Sequence, residues 1–169
     1  MKKGKVWAVL GAGEGLGPAT IRYLLSREQT IFAVKEGDPI RLCDSLKVFT
    51  GRYGPINILI DNLAYNLIDG LAMTTAHYLE FQIEKRLREV LETIRLILPY
   101  MVPGPEGQII SIPPKPYLFM DSGEPVYDER ADAVQQYCSW LKKELLILDN
   151  KITYITYLAP KGIGSLWRE

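Results

Sequence analysis

A glycine-rich turn, Gly11-Ala12-Gly13-Glu14-Gly15-Leu16-Gly17, follows the apolar run KVWAVL of residues 5–10 and precedes a segment of helical periodicity. Glycine permits the tight backbone turn and the close approach that a phosphate at a helix N-terminus requires. The candidates for lining such a site are Gly11, Gly13, Gly15, Leu16 and Gly17. Glycines so placed serve equally to pack a strand against a helix. The strict G-x-G-x-x-G fingerprint fails, because its third glycine position, counted from Gly11, is Leu16. Glu36 or Asp38, about 20 residues past Gly17, could accept a hydrogen bond from a ribose. Asp38 precedes Pro39 and also reads simply as a helix cap.

Other reactive side chains are sparse. His77 is the only histidine and has no second His or Cys near it, so no metal site is expected and a surface or helix-start role suits it. Cys43 and Cys138 stand far apart in apolar settings, as reduced core residues do.

These residues must be positioned by the elements around them. Residues 5–10 stop at glycine, as a buried parallel strand does, and Pro18 to about Arg27 carries Ala19, Ile21, Tyr23, Leu24 and Leu25 at helical spacing, with proline in the first turn. Thr30–Val34 (TIFAV) is a second strand, and Pro39 to about Gly51 a second helix with Ile40, Leu42, Leu46 and Phe49 as its apolar positions. Ile56–Ile60 is the third strand, 75–101 a long helix with one charged face, and GQIISI (107–112) the fourth strand. Residues 127–148 read as the next helix and ITYITYL (152–158) as the fifth strand, while the proline-rich 113–125 reads as a stiff surface loop over the strand ends. The alternation implies a three-layer α/β/α sandwich of Rossmann type in one domain, 1–169, with a parallel sheet of order 2-1-3-4-5. Ligands in such sheets bind beyond the carboxyl ends of the strands. There Asp61, Asn62, Tyr65, Tyr117 and Tyr127 could line a pocket.

The 169 residues suffice to bury a real core, and 47% hydrophobic with 24% charged residues is ordinary globular composition. Twenty basic residues balance twenty acidic ones, so neither nucleic acid nor an anionic membrane is an expected partner. No apolar run reaches the roughly 20 residues of a membrane span and no signal-peptide core forms, so a cytoplasmic location is expected.

The spacing Gly11-x-x-x-Gly15-x-Gly17 resembles that of the short-chain dehydrogenase/reductase family, and further segments agree in order. INILIDNLA (56–64) is similar to the family's strand ending in Asn-Asn-Ala-Gly, keeping Asn62 but showing Asp61, Leu63 and Ala64. The helix ending in LPYM, the strand GQIISI, the helix from Tyr127 into LKKEL and the strand leading to Ala159-Pro160 each have a counterpart. The resemblance implies a nicotinamide dinucleotide held by the glycine turn with Asn62 and Pro160, a Tyr acting as acid/base, and a Lys four residues on that lowers its pKa. Tyr127 matches the Tyr, but the positions implied for Lys, Ser and Asn are Ala131, Pro114 and Arg86. Tyr137 offers no rescue, because Leu141 stands four residues on and Lys142 five. The resemblance also leads one to expect the loss of one strand-and-helix unit between the glycine turn and Ile56, and of the family's last strand and the helices that cover the substrate.

The resemblance and its gaps therefore imply a reduced, degenerate member without dehydrogenase chemistry, with NAD or NADP bound weakly or not at all. Its role would be binding or interaction, or a non-redox reaction such as isomerisation, dehydration or cyclisation. The alternative is an NAD(P)-dependent oxidoreductase acting on a small carbonyl or alcohol through Tyr127. A homodimer is expected through helices 75–101 and 127–148. As in the family, these helices would pair with their symmetry mates, and their stripes (Leu87, Val90, Leu91, Ile94; Val134, Cys138, Leu141, Leu145) look wider than one sheet face needs.

Overall fold

The structure, a computed structural model, describes residues 4–13, 16–34, 39–62, 76–102, 106–112, 117–119, 125–127, 129–148 and 152–156. In chain order these form β1 (Val6–Leu10), α1 (Gly17–Ser26), β2 (Thr30–Val34), α2 (Pro39–Tyr53), β3 (Ile58–Asp61), α3 (Ala76–Ile97) with a 3-10 turn (Leu98–Tyr100), β4 (Gln108–Ser111), β5 (Tyr117–Phe119), β6 (Pro125–Tyr127), α4 (Glu129–Leu148) and β7 (Thr153–Thr156). Five strands make one sheet in the order β2-β1-β3-β4-β7, every pair parallel. This is the expected 2-1-3-4-5 order, with TIFAV at the edge beside β1.

The sheet is covered on both faces, which is why its strands read as continuous apolar runs. Side chains alternate between faces along each strand. Ala8, Leu10, Val34, Leu59 and Ile109 meet Leu46 of α2, Val90, Leu91, Ile94 and Ile97 of α3, and Cys138, Leu141 and Leu145 of α4. Val9, Ile58 and Ile60 point the other way and pack with Leu24 and Ile21 of α1. The registers place Val34, Leu10, Asp61, Ser111 and Thr156 in one row at the carboxyl end of the sheet. At the opposite end, the Ile56 N–H donates to the Tyr100 carbonyl and the Val102 N–H to the Ile56 carbonyl, both at 2.8 Å, in a one-residue bridge of Ile56 to Met101.

Four expectations need correction. β3 starts at Ile58 rather than Ile56, because the backbone of Asn57 bonds Val6 and Gln108 ahead of the regular ladder. Residues 113–125 are not all loop: β5 pairs antiparallel with β6, and Pro125 is tolerated as a first strand residue. The last long helix starts at Glu129, so Tyr127 belongs to the ribbon and not to the helix. The helical stripes are also not spare surface. Val90, Leu91, Ile94, Cys138, Leu141 and Leu145 are all buried against this chain's own sheet, while the side chains of Leu87 and Val134 lie outside those described. No described helix is long and apolar enough to cross a membrane.

Candidate functional site at the carboxyl end of the sheet

The chain leaves β1 through Gly11, whose φ of 66° lies in the left-handed region that strains residues with a Cβ. The Ala12 N–H then donates to the Val34 carbonyl at 3.2 Å, tying the turn to the end of β2. Gly17 opens α1 directly against this turn. A Cβ at Gly17 would overlap the Gly11 carbonyl oxygen and come within 2.9 Å of the Ala12 Cα, so only glycine fits. Gly13, by contrast, is exposed and has nothing within 4 Å of where its Cβ would stand. Of the glycines expected to matter, Gly11 and Gly17 are thus sterically required and Gly13 is not. Gly15, Glu36, Asp38, Tyr65, Pro114 and Pro160 lie outside the described residues.

Buried Leu16 is the N-cap of α1 and supplies no side-chain cap. The Thr20 N–H and hydroxyl both donate to the Leu16 carbonyl at 2.9 Å. A helix start leaves its first amides without helical acceptors, and Pro18 has none to offer, so Leu16, Gly17 and Ala19 carry the free donors. They form the positive end of the helix dipole.

Beside this turn, Leu10 pairs with Asp61, so Gly11 and Asn62 each stand one residue past that pair. Asn62 is 0% exposed, and neither its Nδ2 nor its Oδ1 has a hydrogen-bond partner. A buried amide left unpaired costs about 1–3 kcal/mol of stability.

A second polar group adjoins it. Asp61 is 0% exposed and its Oδ2 accepts a hydrogen bond from the Ser111 hydroxyl at 2.9 Å. Nearby are the Cys138 thiol and the Tyr154 hydroxyl, the latter buried without a hydrogen bond of normal geometry. Burial pushes the Cys138 thiol up to about 12, the Tyr154 hydroxyl opposing it and the Asp61 charge adding to it. Burial first, and then Cys138, raise Tyr154 as well. Both groups stay protonated at neutral pH, so the cluster offers neither a thiolate nor a phenolate. Sequence reasoning picked Asp61 but missed Ser111 and Tyr154. Their available signal was a hydroxyl interrupting each of two apolar strands at positions that share a face.

Tyr127 pairs with Tyr117 across the ribbon, while Ala131 lies in the first turn of α4 and Arg86 in α3. Tyr127 and Ala131 therefore belong to different elements. Among the described residues no three His, Cys, Asp or Glu side chains converge as a metal site would require.

Neither a protein-family model nor a curated protein sequence matches the chain. Solved structures do. A doubly substituted short-chain dehydrogenase/reductase of Serratia marcescens superposes with a TM-score of 0.60 at 19% identity, covering 91% of this chain and 77% of its own. A short-chain dehydrogenase/reductase of the glucose/ribitol dehydrogenase type from Brucella melitensis gives 0.55 at 13% identity, covering 97% and 77%. An NADH-dependent reductase, A1-R', in its complex with NAD, gives 0.53 at 16% identity, covering 95% and 81%. The fold is that of the short-chain dehydrogenase/reductases.

Proposed function

We propose that this chain binds a nucleotide on a short-chain dehydrogenase/reductase scaffold and does not carry out hydride transfer. The observation that carries the reading is the separation of Tyr127, on the ribbon strand β6, from α4, where Ala131 occupies the position implied for the supporting Lys. An unassisted phenol near pKa 10 is a poor acid/base at neutral pH, and a well-placed one typically contributes 10²–10⁴-fold.

The residues at the glycine turn suit the phosphate half of a dinucleotide. The obligatory glycines Gly11 and Gly17 let backbone come close, the amides of Leu16, Gly17 and Ala19 present donors, and Asn62 has an uncommitted buried amide beside them. Bound there, a nicotinamide dinucleotide would supply hydride chemistry, for which Pro114 and Ala131 provide neither hydroxyl nor base.

Titrating NADH, NADPH and ADP against the purified chain by fluorescence tests the binding half, with Gly17→Ala expected to weaken it. Screening carbonyl substrates with wild type and Tyr127→Phe tests the chemistry. Turnover abolished by Tyr127→Phe would establish an oxidoreductase instead, and failure of all three nucleotides to bind would remove the nucleotide site.

A further inference from the structure

We propose that the outer edge of β2 is a self-association surface, where a second copy of this chain adds its own β2 antiparallel to form one continuous ten-stranded sheet across a two-fold axis. The sheet ends at β2, and no described strand pairs with its far side.

The direction of the edge groups follows from one bond. The Val34 carbonyl accepts from Ala12 on the β1 side. Along a strand the backbone groups alternate sides, so Thr30, Phe32 and Val34 point at β1 while Ile31 and Ala33 point outward. These two flank Phe32 symmetrically. A two-fold axis at Phe32 sets Ile31 of one copy opposite Ala33 of the other, and each such pair exchanges two N–H to carbonyl bonds. The edge satisfies its own outward donors and acceptors in register.

Nothing on the strand opposes this. TIFAV has no charge, no proline and no bulge, the devices by which edge strands are usually guarded. Two uncharged strands can meet without like-charge contact, whereas a charged peptide would find no counterpart on the strand itself.

Area decides between a strand contact and a dimer. A five-residue edge alone falls short of the roughly 1,200 Å² that a stable interface buries, so flanking surface must contribute. α1 packs beside β2 on one face, through Ile21, Leu24 and Ile31, and α2 on the other, through Phe49 and Phe32 with ring centroids 5.0 Å apart. The two-fold brings each helix towards its own mate. Five of the nine exposed large apolar side chains among the described residues lie on these two helices: Tyr23 and Leu25 on α1, and Ile40, Val48 and Tyr53 on α2.

The test is sedimentation of the full chain at 10–100 µM (on the order of a typical weak-dimer Kd), with the fold of each variant checked by far-UV circular dichroism. Wild type should run at about twice 19.2 kDa. Ala33→Pro removes an outward donor from each copy and leaves the inward ladder intact, so association should weaken by about thirty-fold. The paired substitution Trp140→Lys with Ile147→Lys, on the exposed face of α4, should leave the dimer unchanged. Should Ala33→Pro fail to fold, amide exchange of Ile31 and Ala33 in the wild type replaces it, with protection expected to rise with protein concentration. A monomeric wild type, a folded Ala33→Pro that stays dimeric, a dimer broken by the α4 variant, or edge amides that exchange freely at every concentration would each overturn the proposal. None of these outcomes depends on nucleotide binding.

Discussion

Ser111 donates its hydroxyl proton to Asp61 Oδ2 across 2.9 Å, between residues that are direct partners on β3 and β4. The bond lies at the carboxyl end of the sheet, where it replaces part of the water that the buried carboxylate gives up. Removing the donor takes one charge-assisted hydrogen bond from that carboxylate, and hydrogen bonds to charged groups contribute about 1.5–3 kcal/mol. We expect Ser111→Ala to lower stability by about 1.5–3 kcal/mol in urea denaturation. Ser111→Ala combined with Asp61→Asn should cost less than the sum of the two single changes, since the pair acts as a unit. Strict additivity would mean that the bond contributes nothing.

The glycines of the turn should separate sharply under substitution. Gly17→Ala forces α1 away from the Gly11 carbonyl, and overpacking of this kind costs about 1–3 kcal/mol. Gly11→Ala is strained by its backbone angle, at about 1–2 kcal/mol. Gly13→Ala meets nothing and should leave the thermal midpoint within about a degree or two of wild type. Equal melting temperatures for Gly13→Ala and Gly17→Ala would contradict the geometry.

Cys138 gives a pH dependence with a definite sign. Burial pushes its thiol up to about 12 in the fold against an ordinary value of 9.0, so the folded state holds the proton more tightly. The associated stability is complete below pH 9.0 and is lost as pH rises from there towards 12. Between pH 8 and pH 10.5 (roughly 1.5 units above the ordinary thiol value) this group should withdraw about 1–2 kcal/mol. Cys138→Ala should start less stable at pH 8 and fall less steeply, as read from urea midpoints at the two pH values. Parallel curves for wild type and variant would exclude the effect. In the native protein at pH 8, iodoacetamide should label the half-buried Cys43 well before Cys138.

Asn57 locks the entry to β3. Its Oδ1 accepts from the Val6 N–H at 2.9 Å, and its own N–H donates to the Val6 carbonyl at 2.8 Å. Asn57→Ala should cost about 1 kcal/mol and speed amide exchange at Val6. Unchanged exchange there would place the stabilisation elsewhere.

The large features were legible because each leaves a periodic mark. VWAVL, TIFAV and ILID are short apolar runs of the kind a doubly covered parallel strand needs, and right-handed crossovers leave TIFAV the edge place. The ribbon escaped notice because Pro113, Pro114, Pro116 and Pro125 read as loop, and two three-residue strands are too short for alternation to register. The helix boundary at Glu129 followed from the same oversight, since residues 125–127 were already committed to pairing. The polar cluster was half visible. Asp61 closes an apolar strand, but its companionship with Ser111, Cys138 and Tyr154 comes from strand register and helix docking, which no local pattern carries.

The bridge from Ile56 to Met101 bears on the order in which the chain assembles. Its partners stand about 45 positions apart, and closing so long an interval costs about 3 kcal/mol of chain entropy. β1 and β2, joined through α1, close over a much shorter stretch and can pair early. The 2.8 Å bonds of Ile56 and Val102 gain their reward only after α3 has docked and carried Tyr100 and Met101 back to the sheet. In refolding followed by pulsed hydrogen exchange, those two amides are the clock for the crossover: they should become protected after β1 and β2, and together with the buried face of α3.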